Sequence, residues 1–248
     1  MGSCRKFAAY ISLLLFLAVG QSPASPPLDC ATAFGILSIR GQLISQRAAE
    51  LQMVRGKICG ITCAIHVMQT FQYIRTGRSI DREGAIQLIL NVINRIRSVE
   101  GRDVAQAGTS MEQLDDIARY VANRLNVPID VRSRILGPGE QSLYPIVDTT
   151  PRNRLVIAGV RNVRVGADGR LEYGKMGHHI VITRINPLTN EVTYFDPVWP
   201  DHPITTILQP ENIGPFRTFK IRLEGSEINS LYIWSLTTVD SQSVGIIH

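Results

Sequence analysis

Two cysteines and a histidine, Cys59, Cys63 and His66, lie in an apolar stretch, KICGITCAIHVMQTF, running from Lys57 to Phe71. These residue types admit nucleophilic catalysis, metal binding, a disulfide or simple core filling. Position separates the two thiols. Ala64, Val67, Met68, Phe71 and Ile74 recur at three- and four-residue intervals, so a helix is predicted to begin near Cys59 and end at Gly77. A cysteine at a helix N-terminus meets unpaired backbone N–H groups and the positive end of the macrodipole, both of which favour thiolate. Gly60 lets a substrate backbone approach closely. Cys63 sits one turn further in, where a small buried hydrophobe or a disulfide partner is the simpler role.

A nucleophilic thiol needs a base and a group to orient it. His66 shares the helix face of Cys59 but is about 10 Å away along the axis, too far for proton transfer. The better candidates lie in GHHIVITRINPLTNEVTYFDPVWP, Gly177 to Pro200, which reads as a hairpin turning at Asn186 to Asn190. If Ile185 faces Glu191, Ile180 faces Asp196, and His178 is its diagonal neighbour on the same sheet face. His179 then points to the other face. The assignment depends on register, because a one-residue slip or a bulge exchanges the two histidines.

The elements around these residues follow a simple order. The predicted helices run from about Thr32 to Met53, from Cys59 to Gly77, from Asp81 to Val99 with Ser79 or Asp81 as cap, and through GTSMEQLDDIARYVANRL. In the last of these, Ser110 and Gln113 have capping-box spacing. Beyond Asn126 the pattern becomes strand-like in VPIDVRS, LVIAGVRNVRV, HIVITRI, EVTYFDP, FRTFKIRL and SLYIWSLTTV. Helices first and strands second predict an α+β domain.

The motifs CGITCA, GTSMEQL, GHHIVITRIN and VTYFDP, in that order, resemble the bacteriocin-processing, double-glycine-leader cysteine peptidases and their stand-alone relatives, within the papain-like superfamily. The resemblance spans about Gln52 to Pro197. It implies a papain-like fold, with an N-terminal helical half packed on a C-terminal antiparallel sheet. It also implies Cys59 as nucleophile, His178 as base and Asp196 as orienting acid. An upstream glutamine usually supplies an oxyanion donor. Gln52 is the nearest match, seven residues before Cys59, and Gln46 is more remote. The Cys59 backbone N–H would be the second donor. The Cys-x-x-x-Cys spacing, with no tryptophan after Cys63, departs from papain itself and favours the leader-peptidase alignment. The implied chemistry needs no cofactor or metal, and its partner is a protein or peptide substrate.

The compartment is read from the N-terminus. Arg5 and Lys6 precede an apolar run from Phe7 to Gly20 and small residues to Ser25, the layout of a secretory signal. The expected organisation is a signal peptide over 1–24, a spacer over 25–31 and one peptidase domain over 32–248. The membrane is met only through the signal segment, and the product is periplasmic or secreted. Leader peptidases proper are usually fused to a transporter. An export signal instead points to a substrate outside the bacterial cytoplasm. Cleavage removes Cys4 and leaves Cys30, Cys59 and Cys63, an odd count that suggests one disulfide beside one free cysteine; with Cys59 as the reactive thiol, the expected pair is Cys30 and Cys63. Three reduced, buried cysteines would give the same count.

With 248 residues, 44% hydrophobic and 19% charged, the chain has a globular balance. Its formal net charge of +5 is scattered rather than clustered, which argues against a nucleic-acid groove. Three competing functions remain. The same thiol site would support deamidation or transglutamination. Cys59, Cys63, His66 and His178 are potential metal ligands. A catalytically dead binding protein would keep the fold alone.

Overall fold

A computed structural model describes residues 28–54, 57–101, 103, 108–136, 153–186, 188–213, 216–224 and 231–242. The expected signal segment, its cleavage region and Cys4 lie outside them. Among the described residues there are four α-helices, a short 3-10 turn and eight strands. The α+β expectation holds, with the helices before the sheet.

Helix α1 (Cys30–Ile39) is capped by Asp29, whose side chain accepts from the Thr32 N–H. It is far shorter than the predicted helix to Met53. Arg40 caps it, Gly41 follows with φ of +65°, and the chain then runs irregularly to a 3-10 turn at Ala49–Leu51. Helix α2 (Cys59–Thr76) begins and ends as expected, with Gly77 left-handed at its C-terminus. Every side chain from Cys59 to Phe71 is buried, so α2 is the central helix. Helix α3 (Arg82–Glu100) is capped by Asp81. Helix α4 (Met111–Leu125) carries the predicted capping box, formed in both directions between Ser110 and Gln113.

The strands are β1 (Ile129–Ile135), β2 (Arg154–Val165), β3 (Leu171–Asn186), β4 (Glu191–Asp196), β5 (Trp199–Ile207), β6 (Gln209–Ile213), β7 (Phe216–Ile221) and β8 (Leu231–Ser241). They form one antiparallel, curled sheet in the order β5-β4-β3-β2-β8-β7-β6, with β1 also pairing β8. Strands β5 and β6 were not predicted. Three prolines and exposed polar residues blur their two-residue alternation.

Alternation along the strands divides the core. Leu155, Ile157, Val181, Phe195 and Val239 face the helices, while Val156, Ala158, Ile180, Ile182 and Tyr194 fill the opposite, inward-curling face. The β3–β4 hairpin pairs Ile185 with Val192, one residue away from the expected Glu191. A bulge between Ile182 and Arg184 then absorbs the difference. Beyond it Ile182 faces Tyr194 and Val181 faces Phe195, the register expected where the hairpin reaches Asp196.

Candidate active site

Cys59 is the first residue of α2. Ile58 before it provides no capping side chain, so the first turn's donors are not consumed by a side-chain cap. The thiol is only 6% exposed. Helix α2 packs against β3 and β2, which brings the helix start onto the sheet where β3 carries the two histidines.

Asp196 ends β4. Its Oδ1 lies 2.9 Å from His178 Nε2 and accepts a hydrogen bond of 2.8 Å from the Val198 N–H. The turn that holds it is clasped by the last turn of α1 and the segment after it. The Ser38 hydroxyl donates to the Pro200 carbonyl at 2.7 Å, the Ser45 hydroxyl to that of Val198 at 2.8 Å, and the Gln46 N–H to that of Pro197 at 2.8 Å. The carboxylate is 5% exposed as a residue but carries two hydrogen bonds, which is what a buried charge requires. His178 spends Nε2 on Asp196, so Nδ1 is the nitrogen left for sulfur.

His179 was expected on the sheet face opposite His178 and away from Cys59; it occupies the opposite face, but not away from the thiol. That face is the one covered by α2. Its Nδ1 lies 3.6 Å from Cys59 Sγ. His179 is 7% exposed, and its carbonyl accepts a hydrogen bond of 3.4 Å from the Cys63 thiol. A Cβ on Gly60 would stand 3.3 Å from His179 Nδ1 and 3.0 Å from Thr109 Cβ. Gly60 therefore makes room for these two side chains against the helix start. Thr109, from the GTSMEQL motif, carries a buried Oγ1 with no hydrogen-bond partner.

The electrostatics follow from these contacts. Burial alone would raise the Cys59 thiol, but hydrogen bonds with His178 and then His179 outweigh it and hold the group well below its ordinary value. Burial alone would depress His178, yet hydrogen bonds to Asp196 and Cys59 lift it to about 10. Both shifts favour a thiolate beside an imidazolium over the neutral pair. Cys63 behaves oppositely: burial and the neighbouring Cys59 hold it well above the usual range, so it remains a thiol.

Other candidates are placed elsewhere. The expected Cys30–Cys63 disulfide is absent, as Cys30, Cys59 and Cys63 are all free, buried thiols. Burial pushes Cys30 up to about 12. Cys59, Cys63, His66 and His178 do not form a metal-binding group. His66 Nε2 is occupied by the Ile44 backbone, at 3.1 Å from its nitrogen and 3.0 Å from its oxygen. Cys63 is committed to the His179 carbonyl. Among the described residues no group of three or more His, Cys, Asp or Glu side chains is placed to hold a metal ion.

Gln52 follows the 3-10 turn and is exposed, with no link to Cys59, His178 or Asp196. Gln46, set aside on spacing, lies instead beside the Asp196 turn, and its Oε1 is buried without a partner. The irregular segment between α1 and α2 folds back to bring it there, a placement that spacing along the chain does not encode. The one available signal was the glutamine itself.

Compared with known protein families and curated proteins, the chain matches neither a family nor an individual protein.

Proposed function

We propose that this chain is a thiol acyl-transfer enzyme, and within that class a papain-like cysteine peptidase acting on protein or peptide substrates. The observation that carries this reading is a helix-N-terminal thiol flanked by two imidazoles, one of them bound on its far nitrogen to a buried carboxylate. A structural ion pair would have no need of a thiolate at an uncapped helix start. The papain-like assignment is supported by a buried helix that presents its N-terminal cysteine to an antiparallel sheet supplying the histidine and acid.

In this reading the Cys59 thiolate attacks the scissile carbonyl carbon, forming a C–S bond and a tetrahedral oxyanion. The His178 imidazolium donates its Nδ1 proton to the departing amine as the C–N bond breaks. Asp196 holds the imidazole by Nε2, fixing its tautomer and orientation and stabilising its charged form. His178, now neutral, takes a proton from water, which attacks the thioester and releases the acid. The Cys59 backbone N–H and the Gln46 amide are the oxyanion donors, in place of Gln52.

Export is part of the proposal. It rests on the basic start and apolar run of residues 5–20. Among the described residues no helix is long and apolar enough to cross a membrane.

The test is incubation of purified protein, wild type and Cys59→Ala, with a defined peptide mixture. New amino termini dependent on Cys59 are expected. Ammonia release without new termini would reassign the site to deamidation, and amine incorporation would reassign it to transglutamination.

A further inference from the structure

Beside His179 the sheet carries a flat, charged platform that the reaction above does not use. In the β2–β3 ladder, His179 pairs with Gly159 and Gly177 pairs with Arg161. Paired residues direct side chains to the same face, so Arg161 lies on the Cys59 side, two residues from the partner of His179. At 3.3–3.4 Å rise per residue, that is about 7 Å along the strand.

Both glycines are needed for what lies on them. A Cβ on Gly159 would come 2.8 Å from Trp234 Nε1 and collide with Ser235 Oγ. A Cβ on Gly177 would come 2.9 Å from Arg161 Nε. The absent side chains let the Trp234 indole and the Arg161 side chain lie down on the sheet. Arg161 Cζ then sits 4.6 Å from the Trp234 ring centroid, a cation–π contact. Trp234 reaches this position through a bulge, since Gly159 pairs with Ser235 and Val160 with Ile233, which makes Trp234 the extra residue between them. Both residues are half-buried. Arg161 Nε is buried with no hydrogen-bond partner, and among the described residues no carboxylate pairs with this guanidinium.

We infer that the Arg161–Trp234 platform is a substrate subsite for a carboxylate, selecting peptides with an acidic residue within about two positions of the bond presented to Cys59. Resting on the proposed thiol chemistry, it narrows the substrate class to acidic peptides. A planar guanidinium fixed by stacking has lost little freedom by binding, and it matches a carboxylate's two oxygens. The indole beneath it shields the contact from water and strengthens it.

Two electrophilic probes test this without a known substrate. N-chloroacetyl-glutamic acid α-amide and N-chloroacetyl-glutamine α-amide differ only in side-chain charge. Cys59 thiolate displaces chloride from either, forming C–S as C–Cl breaks, and peptide mapping reads the label on Cys59 specifically. The acidic probe should label about tenfold faster than the neutral one at low salt. That ratio should fall towards one in Arg161→Gln and at high ionic strength, and remain above one in Arg161→Lys. Labelled Cys59 with equal wild-type rates, or a ratio unchanged in folded Arg161→Gln, overturns the subsite while leaving the nucleophile intact. Failure of both probes to label Cys59 overturns the nucleophile and the subsite with it.

Discussion

The sulfur of Cys59 stands 3.6 Å from Nδ1 of His179, the histidine that strand alternation directs away from His178. Two consecutive residues thus act on one thiol. His178 is bound to Asp196 and holds the thiol down by a hydrogen bond, while His179 lies against the sulfur and is fixed through its own carbonyl by Cys63. Loss of His179 is therefore not silent. His179→Phe should keep the fold and shift the acid limb of Cys59 alkylation by iodoacetamide upward, towards the ordinary thiol value of 9.0. Mass-mapped alkylation rates against pH provide the check, and a profile superimposed on wild type would leave His179 with a packing role alone.

Turnover should separate the roles of the other residues. Cys59→Ala should abolish activity with the fold intact. His178→Ala should lower turnover by about 10²–10⁴-fold, because the proton carrier is gone. Asp196→Asn should cost less, since an amide oxygen still accepts from Val198 but cannot stabilise imidazolium. Cys63→Ala should lose on the order of 1 kcal/mol of stability yet remain active. Paired melting and turnover measurements decide these, and a folded, dead Cys63→Ala beside an active Cys59→Ala would reverse the assignment.

The ion pair has a distinctive linkage. Between the ordinary values of 6.5 for His178 and 9.0 for Cys59, the folded pair binds one proton, on imidazole, and the unfolded pair binds one, on sulfur. Equal proton counts mean that the pair adds no slope of stability against pH in that window. In Cys59→Ala the hydrogen bond and charge of Cys59 no longer raise His178, which leaves Asp196 against the larger effect of burial. The His178 titration should therefore move down from its wild-type value of about 10. Histidine NMR titrations of the two proteins measure it, and superimposed His178 curves would argue against the ion pair.

Gly60→Ala is a sharper probe than its size suggests. The new methyl would lie 3.0 Å from Thr109 Cβ and 3.3 Å from His179 Nδ1. Helix propensity favours the change by about 1 kcal/mol, which offsets some of the crowding. Stability should change little, while His179 is displaced from the thiol and Cys59 reactivity at low pH declines. Thermal melts combined with alkylation rates would expose the opposite result, a large destabilisation with normal thiol reactivity.

The oxyanion assignment is tested by two glutamines. Gln46→Ala should lower turnover by about 10²–10³-fold, whereas Gln52→Ala, on an exposed position, should change it little. Equal effects of the two substitutions on steady-state rates would return the role to an unidentified donor.

Local chemistry carried much of this protein in its residue order. The α2 start at Cys59, its Gly77 stop, the Asp81 cap and the Ser110–Gln113 box all depend on residues within a few positions of one another, and each lies where its pattern places it. The pairing of His178 with Asp196 was also legible, as residue types flanking a hairpin. Its geometric basis was not. The hairpin closes one residue out of the expected register, and without the bulge at Thr183 the face of Asp196 would receive His179. A bulge is settled by which apolar set the two packed faces accept, with Val181 and Phe195 against the helices and Ile182 and Tyr194 on the other side. The same holds for Gln46 and Arg161. One is brought to the Asp196 turn by an irregular chain reversal, and the other to the side of His179 by cross-strand pairing and two glycines. These are long-range juxtapositions, created when the sheet closes on α2, and no spacing along the chain encodes them.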